Sequence, residues 1–259
     1  MNYLLAIIAG AVQGLTEFLP ISSTGHLIIF EKLFNISQKD FGLAFDASLH
    51  LGTLLAVILF FYKDYLKILN FKNRLFLKLT IATIPAALLG LLFESKIESD
   101  IRQLWIVGSA LILFSFVMIF AEKIANKNKE QEELTLPQSL IIGFAQALAL
   151  IPGISRSGST ISAGLFLKLK REEAAKFAFI ISGPIVAAAG SKKFLEALLG
   201  SGLSSTDISL FFTGIISSAV FGYLTIKYFL KYLATKNLYP FIIYRIALGI
   251  ILIIFSLRL

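Results

Sequence analysis

Long apolar runs separated by short polar segments dominate the chain. A helix rises 1.5 Å per residue, so about 20 apolar residues cross the ~30 Å hydrocarbon core of a bilayer. Runs of this kind predict an all-α polytopic membrane protein with six transmembrane helices. The predicted spans are residues 43–62, 77–93, 104–121, 174–191, 208–226 and 238–257.

Two further apolar runs are shorter and are interrupted by polar residues. Residues 3–19 are followed by Pro20, and a short apolar arm resumes over residues 24–34. Residues 138–151 are followed by a polar break, 152–160, and another short arm. Irregular backbone at membrane depth is tolerated where it is buried in protein or lines a cavity. The pattern predicts two re-entrant helical hairpins, and a single kinked crossing helix is the alternative.

The two halves of the chain echo each other. Residues 10–13, Gly-Ala-Val-Gln, precede the first break, and residues 143–146, Gly-Phe-Ala-Gln, precede the second. Three spans in each half is an odd number, which predicts an inverted repeat with a site between the halves. Chance similarity among apolar helices is the alternative. We predict one membrane domain, 1–259, with half-repeats 1–121 and 138–259 joined by an exposed loop, 122–137.

Composition agrees with a membrane location, since 57% of the residues are hydrophobic and the mean hydropathy is +0.82. The net charge of +8 would suggest nucleic acid in a soluble protein, but here cytoplasmic loops rich in Lys and Arg explain it. We predict no nucleic-acid partner.

The distribution of Lys and Arg places both termini outside, so the hairpins enter from opposite faces and their tips meet. No cysteine is present, which excludes thiolate chemistry, and no signal peptide is predicted.

The first break carries groups suited to acid–base or nucleophilic chemistry. An acid near the centre of a membrane helix costs ~2.5 kcal/mol or more on insertion scales, so Glu17 predicts a functional site. It could hold a divalent cation, accept a proton or pair with Arg156, and Gln13 shares its helix face. Ser23 is a candidate nucleophile, and His26 is a candidate acid, base or nucleophile unless it only caps a helix. The neighbouring hydroxyls predicted to contact substrate belong to Ser22 and Thr24.

The second break is suited to bind phosphate. A helix N-terminus exposes unpaired N–H groups and the positive end of a dipole, and Arg156 adds a planar cation that matches phosphate oxygens. The alternative is that the serines cap a helix while Arg156 snorkels or pairs with Glu17. The hydroxyls predicted to cradle the anion are those of Ser155, Ser157 and Thr160.

Three features outside the breaks bear on the site. His50 follows Asp46 by one helical turn, which favours a structural hydrogen-bonded pair over a place in the site. Arg245 either serves phosphate or pairs with an acid, and we favour the pair. A lipid-phosphatase signature that requires a histidine six residues after the arginine is excluded, because that position is Ser162.

The two breaks resemble the signatures of the undecaprenyl-diphosphate phosphatase family of the bacitracin-resistance type. The first signature, (E/Q)xxxE followed by SSTGH, matches residues 13–17 and 22–26. The second, PGxSRSxxT, matches residues 152–160. The likeness in length, spacing and order of spans covers the whole chain.

This resemblance implies hydrolysis of undecaprenyl diphosphate to undecaprenyl phosphate and phosphate, which recycles the lipid carrier of cell-wall synthesis and lowers sensitivity to bacitracin. It implies six spans plus two re-entrant hairpins in an inverted repeat, and a site open to the outer face of the bacterial cytoplasmic membrane. It also implies a divalent cation, Mg²⁺ or Ca²⁺, oriented by Glu17 with Gln13. Ser23 and His26 would share the nucleophile and acid–base roles, and Arg156 would bind the diphosphate.

A transporter or flippase for a lipid phosphate is the alternative function, because inverted repeats with broken helices are typical of transporters. A nucleophile beside Arg156 favours hydrolysis, since moving an anion requires none. The predicted partners are undecaprenyl diphosphate and membrane lipids. A homodimer is compatible with the sequence, which offers no argument for one.

Overall fold

The computed structural model describes residues 2–36, 43–68, 73–99, 101–124, 128–200 and 205–257. Within these ranges the chain is helical, and β structure is limited to one isolated bridge between Lys129 and Leu169. The prediction of an all-α protein is confirmed. The helices are α1 (Tyr3–Phe18), α2 (Ser23–Leu33), α3 (Leu43–Phe60), α4 (Tyr62–Ile68), α5 (Arg74–Ser99), α6 (Leu104–Ile124), α7 (Leu136–Leu148), α8 (Arg156–Phe166), α9 (Arg171–Gly200), α10 (Ser205–Leu233) and α11 (Tyr239–Ser256).

Five of the described helices, α5, α6, α9, α10 and α11, are long and apolar enough to cross a membrane. Helices α3 and α4 pass the same test when taken together, but the chain bends by 84° between them. The described part of the chain therefore has five or six candidate spans and is a multi-pass membrane protein. Helices α1 and α7 are shorter apolar helices, as the interrupted runs predict.

Several helices extend beyond the predicted apolar runs. Helix α9 covers Arg171–Gly200 and continues through Pro184, whereas the apolar pattern predicts only 174–191. Hydropathy marks the part of a helix that faces lipid, and polar turns at its ends continue the same backbone hydrogen bonding. The predicted loop 122–137 likewise contains a short 3₁₀ helix, Gln131–Glu133.

Small residues let particular helices approach closely. A Cβ atom added to Gly14 of α1 would lie 2.6 Å from the backbone oxygen of Ser218 in α10. One added to Gly249 of α11 would lie 2.7 Å from the backbone oxygen of Gly108 in α6. Close backbone contact of this kind is how membrane helices gain packing energy without a hydrophobic drive. These contacts fix α1 on α10 and α11 on α6.

Helix α8 lies inside the bundle. Every residue from Ser157 to Leu165 is buried, and α8 packs against α6, α7 and α9. The segment before α7 lies against the segment after α8, because Lys129 forms its bridge with Leu169 and the N–H of Gln131 donates to Glu173 at 3.3 Å. The start of α7 and the end of α8 are therefore at the same end of the molecule.

Candidate active site

A cavity of about 450 Å³ opens where the two polar breaks meet α3, α5 and α9. Most of its polar lining comes from both breaks and from α3, and most of its apolar lining comes from α5 and α9. Such a cavity suits a ligand with a charged head and an apolar tail. The polar lining residues include Glu17, Ser22, Ser23, Thr24, Asp46, His50, Arg102, Ser155, Arg156 and Lys192. The apolar lining residues include Leu27, Ala86, Ala87, Leu91, Leu150, Ile185, Val186, Ala188 and Ala189.

The two breaks are built alike. Ser22 precedes α2 with a φ of 70°, and Ser155 precedes α8 with a φ of 77°. Each serine side chain caps its helix by accepting from the backbone N–H of the glycine three residues later, Gly25 at 3.4 Å and Gly158 at 3.2 Å. A left-handed conformation is unfavourable for serine, so its occurrence at the same point of both breaks supports the echo seen in the sequence.

Glu17 connects the two breaks. One carboxylate oxygen, Oε1, pairs with the guanidinium of Arg156. The other, Oε2, accepts from Gln13 Nε2 at 2.9 Å and from the hydroxyl of Ser23 at 2.5 Å. The carboxylate is buried and both of its oxygens have partners. The prediction that an acid of the first break meets the arginine of the second is confirmed.

His50 lies in the site, which the sequence did not favour. Its Nδ1 is 2.8 Å from the backbone oxygen of Asp46, so this nitrogen carries the proton in the neutral ring. Its Nε2 lies 3.7 Å from Oε2 of Glu17, and the ring lines the cavity. The predicted hydrogen-bonded pair of His50 with Asp46 is therefore present, but it is formed with the backbone oxygen, because the Asp46 carboxylate accepts from Arg102 at 3.1 Å. Arg102 lies far along the chain, so no local spacing could have revealed it.

His26 points elsewhere. Its Nδ1 lies 2.8 Å from the backbone oxygen of Ser22, and its Nε2 lies 2.7 Å from the hydroxyl of Tyr244. The two rings are stacked, with centroids 5.7 Å apart. Among the described residues, His26 is not part of the cavity lining. Its catalytic role stays a prediction, and the structure gives it contacts that orient α2 on α11.

The predicted substrate-binding residues fall into two groups. Ser22, Thr24 and Ser155 line the cavity. The hydroxyl of Thr160 instead donates to the backbone oxygen of Arg156 at 2.7 Å, and that of Ser157 donates to Leu19 at 2.9 Å. Substrate contacts of both groups, and of Gln13 behind Glu17, stay predictions.

The two breaks also bind each other through the backbone. Besides the bond from Ser157 to Leu19, the N–H of Gly153 donates to the hydroxyl of Ser22 at 3.2 Å. Gly153 has a φ of 101°, and a Cβ atom there would lie 2.5 Å from the backbone oxygen of Val107. Only glycine fits this position without strain.

Arg245 pairs with no acid in the described part of the chain, so that expectation is wrong. Within the described ranges its partners are backbone oxygens and one hydroxyl. Its side chain is fully buried. The partners are Pro20 O at 3.1 Å, Gly153 O at 3.0 Å, Leu111 O at 3.4 Å and Ser115 Oγ at 3.2 Å.

A metal ion held by the protein alone does not fit this site. No group of three or more Asp, Glu, His or Cys side chains in the described part of the chain could hold one. Glu17, the predicted ligand, already has partners on both oxygens. A hard cation such as Mg²⁺ would have to take most of its ligands from phosphate oxygens and water.

The fold and the cavity define a class: a multi-pass helical membrane protein whose polar site joins an acid, a hydroxyl and an arginine beside an apolar wall. The sequence model of the bacitracin resistance protein BacA family matches residues 6–251. The chain belongs to this family.

Curated relatives align over nearly their whole length. The undecaprenyl-diphosphatase of Rubrobacter xylanophilus is 41% identical, over 96% of this chain and 96% of the relative. That of Thermodesulfovibrio yellowstonii is 44% identical, over 95% of each chain. That of Caldicellulosiruptor bescii is 42% identical, over 99% of this chain and 98% of the relative.

Proposed function

We propose that this chain hydrolyses undecaprenyl diphosphate to undecaprenyl phosphate and phosphate, which recycles the lipid carrier of cell-wall synthesis and confers bacitracin resistance. Membership of the family and relatives named undecaprenyl-diphosphatase support this function. The observation that carries it is the contact of Glu17 with both Ser23 and Arg156 at the polar end of a cavity with an apolar wall.

The geometry supports Ser23 as the nucleophile. Its hydroxyl lines the cavity and donates to Glu17 Oε2 at 2.5 Å, so the carboxylate is placed to act as general base. Oγ attacks the terminal phosphorus, the bond from that phosphorus to the bridging oxygen breaks, and undecaprenyl phosphate leaves with the electron pair. The proton of Ser23 moves to Glu17.

Water completes the cycle by attacking the phosphoserine. The bond between phosphorus and Oγ breaks, Glu17 returns its proton to Oγ, and one water proton moves to a phosphate oxygen, giving dihydrogen phosphate. Arg156 and the first N–H groups of α8 neutralise charge on the phosphoryl oxygens. Gln13 holds Glu17 in position, and His26 holds α2 against Tyr244.

We propose six spans and two re-entrant hairpins in an inverted repeat, with half-repeats 1–121 and 138–259 in one domain. The matching caps of Ser22 and Ser155 support the repeat. The adjacency of the segments that flank α7 and α8 supports the second hairpin. For the first hairpin, Ala6 of α1 and Phe30 of α2 belong to one apolar cluster, which puts the start of α1 beside the end of α2.

The location proposed is the bacterial cytoplasmic membrane, with the cavity open to its outer face, as the Lys and Arg distribution predicts. Exposed apolar side chains along the spans suit contact with membrane lipids. A divalent cation, if bound, is proposed to arrive with the diphosphate, because the described residues offer no cage of their own.

Phosphate release from undecaprenyl diphosphate by the purified protein in detergent tests the function. Wild-type protein is expected to release phosphate, with less release after EDTA treatment. Arg156→Ala is expected to abolish release and Glu17→Ala nearly to do so, since each loses charge stabilisation or proton transfer in the transition state. Binding without release by wild-type protein would favour the transporter alternative, and ordinary activity of either variant would refute the site.

A further inference from the structure

Arg245 has no place in the cavity, yet it touches both halves of the site. Helix α11 contributes no cavity-lining residue within the described ranges. The buried guanidinium of Arg245 donates from Nη1 to Pro20 O at 3.1 Å and from Nη2 to Gly153 O at 3.0 Å. Pro20 lies in the first break, and Gly153 lies in the second.

The two carbonyl oxygens that accept from Arg245 lie close in sequence to the reacting groups of the site. Pro20 stands between Glu17 and Ser23, and Gly153 stands just before the helix that begins at Arg156. A change in the separation of these two carbonyls changes the separation of the nucleophile from the cation that binds its target. Phosphoryl transfer depends chiefly on such positioning.

The guanidinium itself is held from the opposite side. Its Nε donates to Ser115 Oγ at 3.2 Å, and Nη2 also reaches Leu111 O at 3.4 Å, both on α6. Helices α6 and α11 are in backbone contact at Gly108 and Gly249. Tyr244, the preceding residue, bonds to His26 on α2 at 2.7 Å. Helices α6 and α11 therefore hold the guanidinium of Arg245 in a fixed position.

We propose that Arg245 is a positioning residue, which sets the spacing of the two polar breaks by bonding one carbonyl of each. The expected effect on kcat rests on the proposed function, whereas the expected effect on the spacing of the two breaks rests on geometry alone. The role depends on a planar fork with several donors. A lysine in its place has one ammonium and cannot reproduce the same fixed, bidirectional geometry.

The variants Arg245→Lys and Arg245→Met test this role, and Arg171→Lys is the control. Arg171 is a partly buried arginine that bonds Glu122, at 2.7 Å from Nη2, away from the cavity. For both Arg245 variants we expect kcat to fall about 100-fold, because misplacement by ~1 Å has an effect of that size. KM is expected to change less than threefold, and Arg171→Lys is expected to keep the wild-type kcat and KM.

The second readout is a distance. The chain has no native cysteine, so spin labels at Leu15→Cys and Ile151→Cys, exposed positions near the two breaks, report their separation by pulsed EPR. We expect a broader distance distribution in both Arg245 variants and an unchanged one in Arg171→Lys. Near-wild-type kcat in Arg245→Lys would overturn the proposal, because charge alone would then suffice. Lost activity with an unchanged distribution would also overturn it.

A milder variant covers the case in which the Arg245 variants do not fold. Ser115→Ala removes the acceptor of Nε without altering either break, and it is expected to lower kcat several-fold and broaden the distribution. No change in either quantity would contradict the proposal. Failure of the proposed function would appear differently, as wild-type protein that releases no phosphate while the distances still respond to Arg245→Lys.

Discussion

Glu17 is the residue at which the hydrogen bonds of the site converge. It accepts from Gln13 and Ser23 and pairs with Arg156, and His50 approaches the same carboxylate. A buried carboxylate needs partners of this kind, because an unpaired charge in an apolar interior is costly. The same partners that compensate the charge also hold it beside the hydroxyl of Ser23, so the stability of the buried acid and its proposed role as general base have one cause.

Ser23→Ala tests the nucleophile at this scale. Loss of Oγ removes the attacking atom, so kcat should fall about 1,000-fold or more. A phosphorylated intermediate trapped by rapid acid quench should be found on Ser23 in wild-type protein and should be missing in the variant. Ser217→Ala is the matched control, since that buried serine bonds Ile7 O at 2.7 Å on the α1–α10 contact. Trapped phosphate on His26 instead would assign the attack to the imidazole.

At the scale of elements, the sequence predicted the two breaks and their order but not how they lock together. Proline, serine and glycine clusters within apolar runs are local signals, so the break before α2 and the one before α8 were predictable. The bond from Ser157 to Leu19 and the contacts of Arg245 join segments far apart in the chain, and no periodicity encodes them. The place of His50 in the site was named but not favoured for the same reason, because Glu17, whose carboxylate it approaches, is on another helix.

Gly153→Ala tests the close backbone packing that joins the two breaks. The left-handed φ and the approach to Val107 O are both incompatible with a Cβ atom, so the free energy of unfolding should fall by about 2 kcal/mol or more. Gly90→Ala is the control, because a Cβ there meets nothing closer than Leu150 Cδ2 at 3.8 Å and helical Ala is favoured over Gly by ~1 kcal/mol. Thermal unfolding in detergent should shift in opposite directions for the two variants, and equal shifts would contradict the strain at Gly153.

At the scale of the whole molecule, apolar run lengths predicted an all-helical membrane protein, and the structure agrees. The apolar pattern predicted a span that ends at residue 62, beside the bend, but it did not predict that the polar segment from Tyr62 to Ile68 forms a second helix at 84° to the first. Helix ends such as that of α9 were also missed, since polar turns continue a helix beyond the lipid without any change of backbone geometry.

The proposed topology is testable with single cysteines in the naturally cysteine-free chain. If α1 and α2 form a re-entrant hairpin, Asn2→Cys and Lys32→Cys should both react with a membrane-impermeant maleimide on intact cells. Leu136→Cys and Lys170→Cys, which flank α7 and α8, should react only after the cells are opened. All four positions belong to exposed residues. A kinked crossing helix would instead put the two members of a pair on opposite sides.

The burial of α8 has a consequence for the release of the products. Its first residue, Arg156, lines the cavity, whereas every residue from Ser157 to Leu165 is buried in protein, so this segment of the described chain lines no part of that cavity. A transporter of anions must open its binding site to the opposite face of the membrane once in every cycle. We expect the released phosphate to leave through the opening by which the diphosphate enters, and the lipid product to return to the leaflet that supplied it. If this expectation holds, the return of that lipid to the opposite leaflet requires a different protein.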